Sequence, residues 1–197
     1  MRIIKLNEQS RANILADLLK RDPNNYSAYE GTVQEIVDDV RARGDEALFE
    51  YTKKFDGAEL SADNIRVTQA EIQEALSQVD PNLLAVMKKS MKNIREYHEK
   101  QKQYSWFDSK PNGTILGQKV TALSSVGVYV PGGKAAYPSS VLMNIIPAEV
   151  AGVEKIVMVT PPGKDGKVNP VTLIAAHLAG ATEVYKVGGA QAIAALA

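Results

Sequence analysis

Apolar positions follow two different spacings along this 197-residue chain, and the spacing changes near residue 125. Before that point they recur every three to four residues, as in amphipathic helices with mixed charges on the other face. After it, β-branched runs such as Ile156-Val-Met-Val159 alternate with helical segments. The pattern predicts an α/β protein, with a mixed, mainly helical region over residues 1–125 and an incomplete, truncated Rossmann-like nucleotide-binding unit over residues 126–197.

Capping signals indicate where helices of the first region begin. Thr32-Val-Gln-Glu35 and Thr68-Gln-Ala-Glu71 have the form of capping boxes. Asp80 precedes a proline that suits the first helical position. The predicted helices begin at about residues 7, 32, 45, 68 and 81, and the last runs to about residue 102.

Extended segments are predicted between and after these helices. Residues 65–67 form a short one, and Pro111-Asn-Gly113 is a turn sequence between short strands. We expect residues 114–116 and 118–123 to pair around Gly117.

The second region predicts strands over residues 126–130, 155–160 and 183–187, each followed by a helix. Ser139 or Ser140 is the expected N-cap of the first of these helices, and Pro147 should kink or split it. Such a βαβαβα order predicts a parallel sheet with right-handed crossovers. The glycine pairs Gly132-Gly133 and Gly188-Gly189 should then lie at its carboxyl edge, where nucleotides bind in such folds.

Three side chains near these glycines are candidates for ligand contact. Tyr129 could contact a ring or hydroxyl of a ligand, or pack against the next helix. The Gln191 amide could donate to and accept from a bound group, or be solvated at its helix start. Lys134 could contact a phosphate or be exposed. The glycine spacing does not match Gly-x-Gly-x-x-Gly, so the pattern leaves these alternatives open.

Composition narrows the classes of function. Acidic and basic residues balance at 23 each, which argues against nucleic-acid and anionic-membrane partners. Cysteine is absent, so disulfides and cysteine nucleophiles are excluded. His98 and His177 are expected on helix faces rather than as metal ligands. No signal peptide or membrane span is predicted, so a cytoplasmic protein is expected. The last helix stops without a cap, and we expect the chain to be part of a longer one.

Several motifs together resemble the histidinol dehydrogenase family. They span nearly the whole chain and include Arg43-Gly-Asp45, Gly127-Val-Tyr-Val-Pro-Gly-Gly133, Tyr137-Pro-Ser139, Ile146-Pro-Ala148 and Gly188-Gly-Ala-Gln-Ala192. The resemblance implies the N-terminal portion of an NAD-dependent, zinc-requiring enzyme with an aldehyde dehydrogenase-like core. That enzyme oxidises L-histidinol to L-histidine in two steps, the last reaction of histidine biosynthesis, and is a cytoplasmic homodimer at full length.

By the same resemblance, Tyr129 and Gln191 fall on positions with which the family contacts NAD. The family's zinc ligands and its catalytic Glu-His pair lie beyond residue 197, so the resemblance assigns no catalytic or metal residue to this chain. The fragment is expected to be inactive alone.

The residues themselves also leave two alternative functions open. One is a non-catalytic nucleotide-binding or assembly module. The other is a related aldehyde-oxidising enzyme, which lacks its cysteine nucleophile here.

Overall fold

A computed structural model of the chain describes residues 5, 7–12, 26–132 and 136–197. Residues 8–12 are helical, at the start of the helix predicted over residues 7–20, whose remainder lies outside the described residues. The elements that follow are α1 (Ser27–Arg43), α2 (Asp45–Asp56), α3 (Gln69–Gln78), α4 (Pro81–Glu99), β1 (Trp106–Ser109), β2 (Ile115–Gln118), β3 (Ser125–Tyr129), α5 (Pro138–Val150), β4 (Lys155–Thr160), α6 (Pro170–Ala179), β5 (Glu183–Lys186) and α7 (Gly189–Leu196).

The strands of the second region form a parallel sheet in the order β3-β4-β5. Val126 lies opposite Ile156, and Met158 lies opposite Val184. Residues 65–67 extend the sheet beyond β5, because Val67 donates its N–H to the Val184 carbonyl at 2.9 Å and Arg66 forms an antiparallel bridge with Tyr185. These findings confirm the predicted α/β class and the short extended segment.

Helices cover both faces of this sheet. On one face, α3, α4, α5 and α6 pack against one another and on the sheet, around a core that includes Ile72, Met87, Val128, Ile145, Met158 and Ile174. On the other face, α7 packs against β3, α1 and α2. The predicted division at residue 125 stays a prediction, since helices before it and strands after it share this core.

Local signals gave most helix starts correctly. Thr68 and Glu71 form the predicted capping box, and Asp80 caps α4. Among the described helices, none is both long and apolar enough to cross a membrane.

Two predicted starts are wrong. The helix α1 begins at Ser27 rather than Thr32, and Glu30 supplies a favourable negative charge in its first turn. The helix α5 begins at Pro138, whose fixed φ suits a first turn, and Tyr137 provides no side-chain cap. This helix also continues through Pro147 rather than splitting there.

The predicted pairing around Gly117 is wrong, although the turn at residues 111–113 lies between two strands as expected. The strands β1 and β2 pair antiparallel, and Gly117 lies inside β2 opposite Phe107. A side chain at Gly117 would collide with the Phe107 ring and the β1 backbone, so this glycine allows close strand approach instead of a turn. All residues of both strands are exposed in the part of the chain that the structure describes.

Candidate functional site

The candidate site lies at the carboxyl edge of the parallel sheet. Gly132 follows β3, and the pair Gly188-Gly189 follows β5, so both turns lie at the same edge. Between them, β4 ends at Thr160 and continues into Pro161. The predicted placement of the glycine turns is therefore observed for these residues, whereas Gly133 and Lys134 lie outside the described ones.

The helix α7 returns to the first strand of the sheet on the opposite face from α5 and α6. It approaches so closely that a Cβ atom at Gly127 of β3 would lie 2.8 Å from a methyl group of Leu196. In open α/β sheets, ligands bind outside the carboxyl ends of the strands, which is where the candidate edge lies.

Tyr129 connects β3 to the turn before α7. Its ring packs in a cluster with Leu48, Val159 and Val187. Its hydroxyl accepts a hydrogen bond from the Gly189 N–H at 3.3 Å. The ring therefore packs on the face of the sheet that α2 and α7 cover, and not against the next helix, α5, as the packing alternative expected. The hydroxyl places a polar atom at the start of α7.

Gln191 is fully buried in the first turn of α7. Neither Oε1 nor Nε2 of its amide has a hydrogen-bond partner among the described residues. The amide folds back over Gly189, where φ is +67° and a Cβ atom would lie 3.1 Å from both Cδ and Nε2 of Gln191. An unsatisfied buried amide costs about 1–3 kcal/mol, so a ligand that completes its hydrogen bonds would be favoured.

A cavity of about 400 Å³ opens beside Pro161, which is one of its lining residues. It lies between α3, the loop after β4 and the start of α6, and its lining includes Glu71, Glu74, Gly132, Thr160, Lys167 and Asn169. Asn169 accepts hydrogen bonds from the N–H groups of Val171 and Thr172, so its side chain caps α6.

Two ion pairs include the glutamates that line this cavity. The buried Lys186 ammonium donates to Glu71 at 2.7 Å, and Lys167 donates to Glu74 at 2.6 Å. Burial alone would raise the pKa of Glu71, but the hydrogen bonds from Lys186 and Thr68 outweigh it and the pKa lies below its ordinary value. The hydrogen bond to Glu74 raises the pKa of Lys167. These charges therefore neutralise one another at neutral pH.

The two histidines lie apart from the candidate edge. His98 is on α4, where its Nδ1 lies 2.7 Å from Oε1 of Gln101, and His177 is exposed on α6. Among residues 5, 7–12, 26–132 and 136–197, no group of three or more His, Cys, Asp or Glu side chains could hold a metal ion.

Sequence reasoning missed two features of this edge. Pro161 lies between the glycine turns, and no sequence pattern assigned it a role. The pair of Glu71 and Lys186 joins segments far apart in the chain, and only Glu71 carried a local signal, through its capping box.

Comparisons with known proteins agree with the resemblance. The family model for histidinol dehydrogenase matches residues 19–197. The chain is 60% identical over 166 residues to the histidinol dehydrogenase of Bacillus subtilis, covering 84% of this chain and 38% of the relative. It is 57% identical over 165 residues to that of Heliobacterium mobile, covering 84% of this chain and 39% of the relative.

A solved structure has the same fold. The crystal structure of histidinol dehydrogenase from Elizabethkingia anophelis superimposes with a TM-score of 0.79 at 36% identity, covering 85% of this chain and 38% of that one. The matched part is the N-terminal part of these longer relatives.

Proposed function

This chain belongs to the histidinol dehydrogenase family, and we propose that it is the part of such an enzyme that holds NAD⁺ at the carboxyl edge of β3, β4 and β5. NAD⁺ would supply a nicotinamide ring that accepts a hydride. The observation that carries the proposal is the buried Gln191 amide, which has no partner among the described residues and lies at this edge.

The residues at the edge suit a dinucleotide. Gly132 and Gly188 carry no side chain, and the Pro161 ring packs against both of them at this edge. The Tyr129 hydroxyl and the Gln191 amide offer both hydrogen-bond donors and acceptors, which match hydroxyl, phosphate and carboxamide groups. Because the Gln191 amide is closed to solvent, it must rotate toward the edge to reach a bound nucleotide.

We also propose that the complete enzyme oxidises histidinol to histidine, and that it requires zinc and is a cytoplasmic homodimer. The described residues offer no metal-binding group of side chains, so no step of that reaction is assigned to zinc here. The role proposed for this chain is to bind and orient the nucleotide.

The test is a calorimetric titration of the 197-residue chain with NAD⁺. We expect binding by the wild type and about tenfold weaker binding by Gln191→Ala, since one hydrogen-bonded group contributes about 1.4 kcal/mol. Tyr129→Phe keeps the packed ring and should also weaken binding. Gln73→Ala and Tyr104→Phe change exposed residues of the same types away from the edge and serve as matched controls.

The proposal is wrong if the wild-type chain shows no saturable binding of NAD⁺. Equal affinities of the wild type and Gln191→Ala would contradict the assigned edge.

A further inference from the structure

Pro161 lies between the two glycine turns of the candidate site. It directly follows β4, the middle strand of the sheet, while Gly132 follows one outer strand and Gly188 follows the other. The ring is half-buried. Any change in its size should therefore act on both turns.

Both glycines are in close contact with this proline. A Cβ atom at Gly132 would lie 3.1 Å from the Pro161 carbonyl oxygen and 3.2 Å from its Cδ. A Cβ atom at Gly188 would lie 2.8 Å from Cβ of Pro161 and 3.0 Å from Cδ, and closer still to Cγ. No ordinary side chain fits at Gly188 while this ring is present.

The requirement at Gly188 is for space and not for backbone angle. Its φ is −128° and its ψ is −168°, an extended conformation that any residue adopts. By contrast, the next residue, Gly189, has a φ of +67°, which favours glycine by itself. A substitution at Gly188 should therefore become tolerable once the proline ring is removed.

A proline is suited to act as a rigid spacer at this point. Its ring fixes φ and has no rotatable side chain, so the distance it sets between neighbours varies little. It also has no N–H or side-chain polar group to offer a ligand. Its action on a bound nucleotide is therefore indirect, through the two turns.

We propose that Pro161 is a positioning residue that sets the separation of the two glycine turns and so the width of the edge that receives NAD⁺. The statement that this width matters for NAD⁺ rests on the proposed function. The contacts with Gly132 and Gly188 stand independently of any ligand.

The test is a double-mutant cycle on the 197-residue chain with Pro161→Gly, Gly188→Ala and the double variant. In the double variant, the methyl group at residue 188 occupies space that the ring has left. We expect Gly188→Ala alone to weaken NAD⁺ binding by about tenfold, or 1.4 kcal/mol. The double variant should bind NAD⁺ more tightly than Gly188→Ala. Effects of the two changes that simply multiply would overturn the inference.

A second measurement tests the contact of Pro161 with the glycines without NAD⁺. Thermal unfolding of the same four proteins should show that Pro161→Gly reduces the loss of Tm caused by Gly188→Ala. Gly31→Ala is the matched control, because no described atom lies within 4 Å of its added methyl group, and its effect should add to that of Pro161→Gly. If Gly188→Ala does not fold, Gly132→Ala replaces it in the cycle.

The two readouts give distinguishable failures. Coupling in Tm without binding of NAD⁺ by the wild type would support the spacer contact and contradict the proposed function. Binding of NAD⁺ by the wild type with no coupling in either readout would contradict the spacer and leave the proposed function standing.

Discussion

The two sheets of this protein contain similar apolar side chains in opposite environments. Ile156 in β4 of the parallel sheet is 1% exposed, whereas Ile115 in β2 of the hairpin is 66% exposed. Trp106 and Phe107 of β1 are exposed as well, at 57% and 64%. Residue type alone therefore does not decide burial in this chain.

The difference in burial comes from whether helices cover the sheet. Helices cover the parallel sheet on both faces, so its strands can be apolar on both sides. The hairpin of β1 and β2 also carries apolar residues on both faces, but the described residues do not cover it. A two-stranded hairpin is at best marginally stable alone in water. The stability of the chain should therefore reside in the layered sheet.

The largest expected contrast is between two isoleucine truncations. Ile174→Ala in α6 removes a side chain that is 0% exposed and should cost about 2–5 kcal/mol in the free energy of unfolding. Ile115→Ala makes the same chemical change in the hairpin and should change it by less than about 0.5 kcal/mol. Urea unfolding of both variants measures the two free energies of unfolding. Similar losses of free energy in the two variants would contradict the difference between the two sheets.

A smaller effect is expected at the charged pair beside the parallel sheet. Glu71→Gln leaves the buried Lys186 ammonium without its partner carboxylate and should cost about 2–3 kcal/mol at neutral pH. The pKa of Glu71 is lowered in the folded state, so the stability it contributes is present above its unfolded value of about 4.3 and is lost as pH falls through the folded value.

The free energies of unfolding of the wild type and of Glu71→Gln should therefore converge as the pH falls through the folded pKa of Glu71, which lies below the ordinary glutamate value. Denaturant unfolding at a series of pH values measures this convergence. A difference that stays constant down to acidic pH would show that the carboxylate charge does not stabilise the sheet.

The smallest contrast compares two glycines. Gly127→Ala places a methyl group 2.8 Å from Leu196, where α7 covers β3, and should destabilise the fold by about 1 kcal/mol. Gly31→Ala lies in α1 with no described atom within 4 Å and should stabilise it by about 0.5–1 kcal/mol. Opposite shifts of Tm confirm the expectation, whereas a stabilising Gly127→Ala would contradict the tight packing of α7.

Local signals predicted those parts of the fold that depend on a few adjacent residues. The bounds of β4 and the capping box at Thr68 both follow from such signals. The pairing of β1 with β2 places Phe107 opposite Gly117, where a side chain would not fit. This is a contact between two strands, and the local sequence pattern did not predict it. The early start of α1 was missed because the helix continues through Gly31.

The candidate site was likewise predictable only in part. The parallel order of the strands was enough to predict both glycine turns at one edge. The role of Pro161 could not be predicted, because it depends on β4 lying between β3 and β5 and on distances between residues far apart in the chain. The buried, unpartnered amide of Gln191 is likewise a property of the folded chain.

The central claim is that NAD⁺ binds at the edge formed by the two glycine turns. The most direct measurement is a titration of the isotope-labelled chain with NAD⁺, followed by NMR of the backbone and side-chain amides. The account predicts that the Gly188 and Gly189 amides and the Gln191 side-chain NH₂ shift most, while hairpin residues such as Phe107 do not. Shifts confined to the hairpin or to α4, or the absence of shifts at saturating NAD⁺, would contradict it.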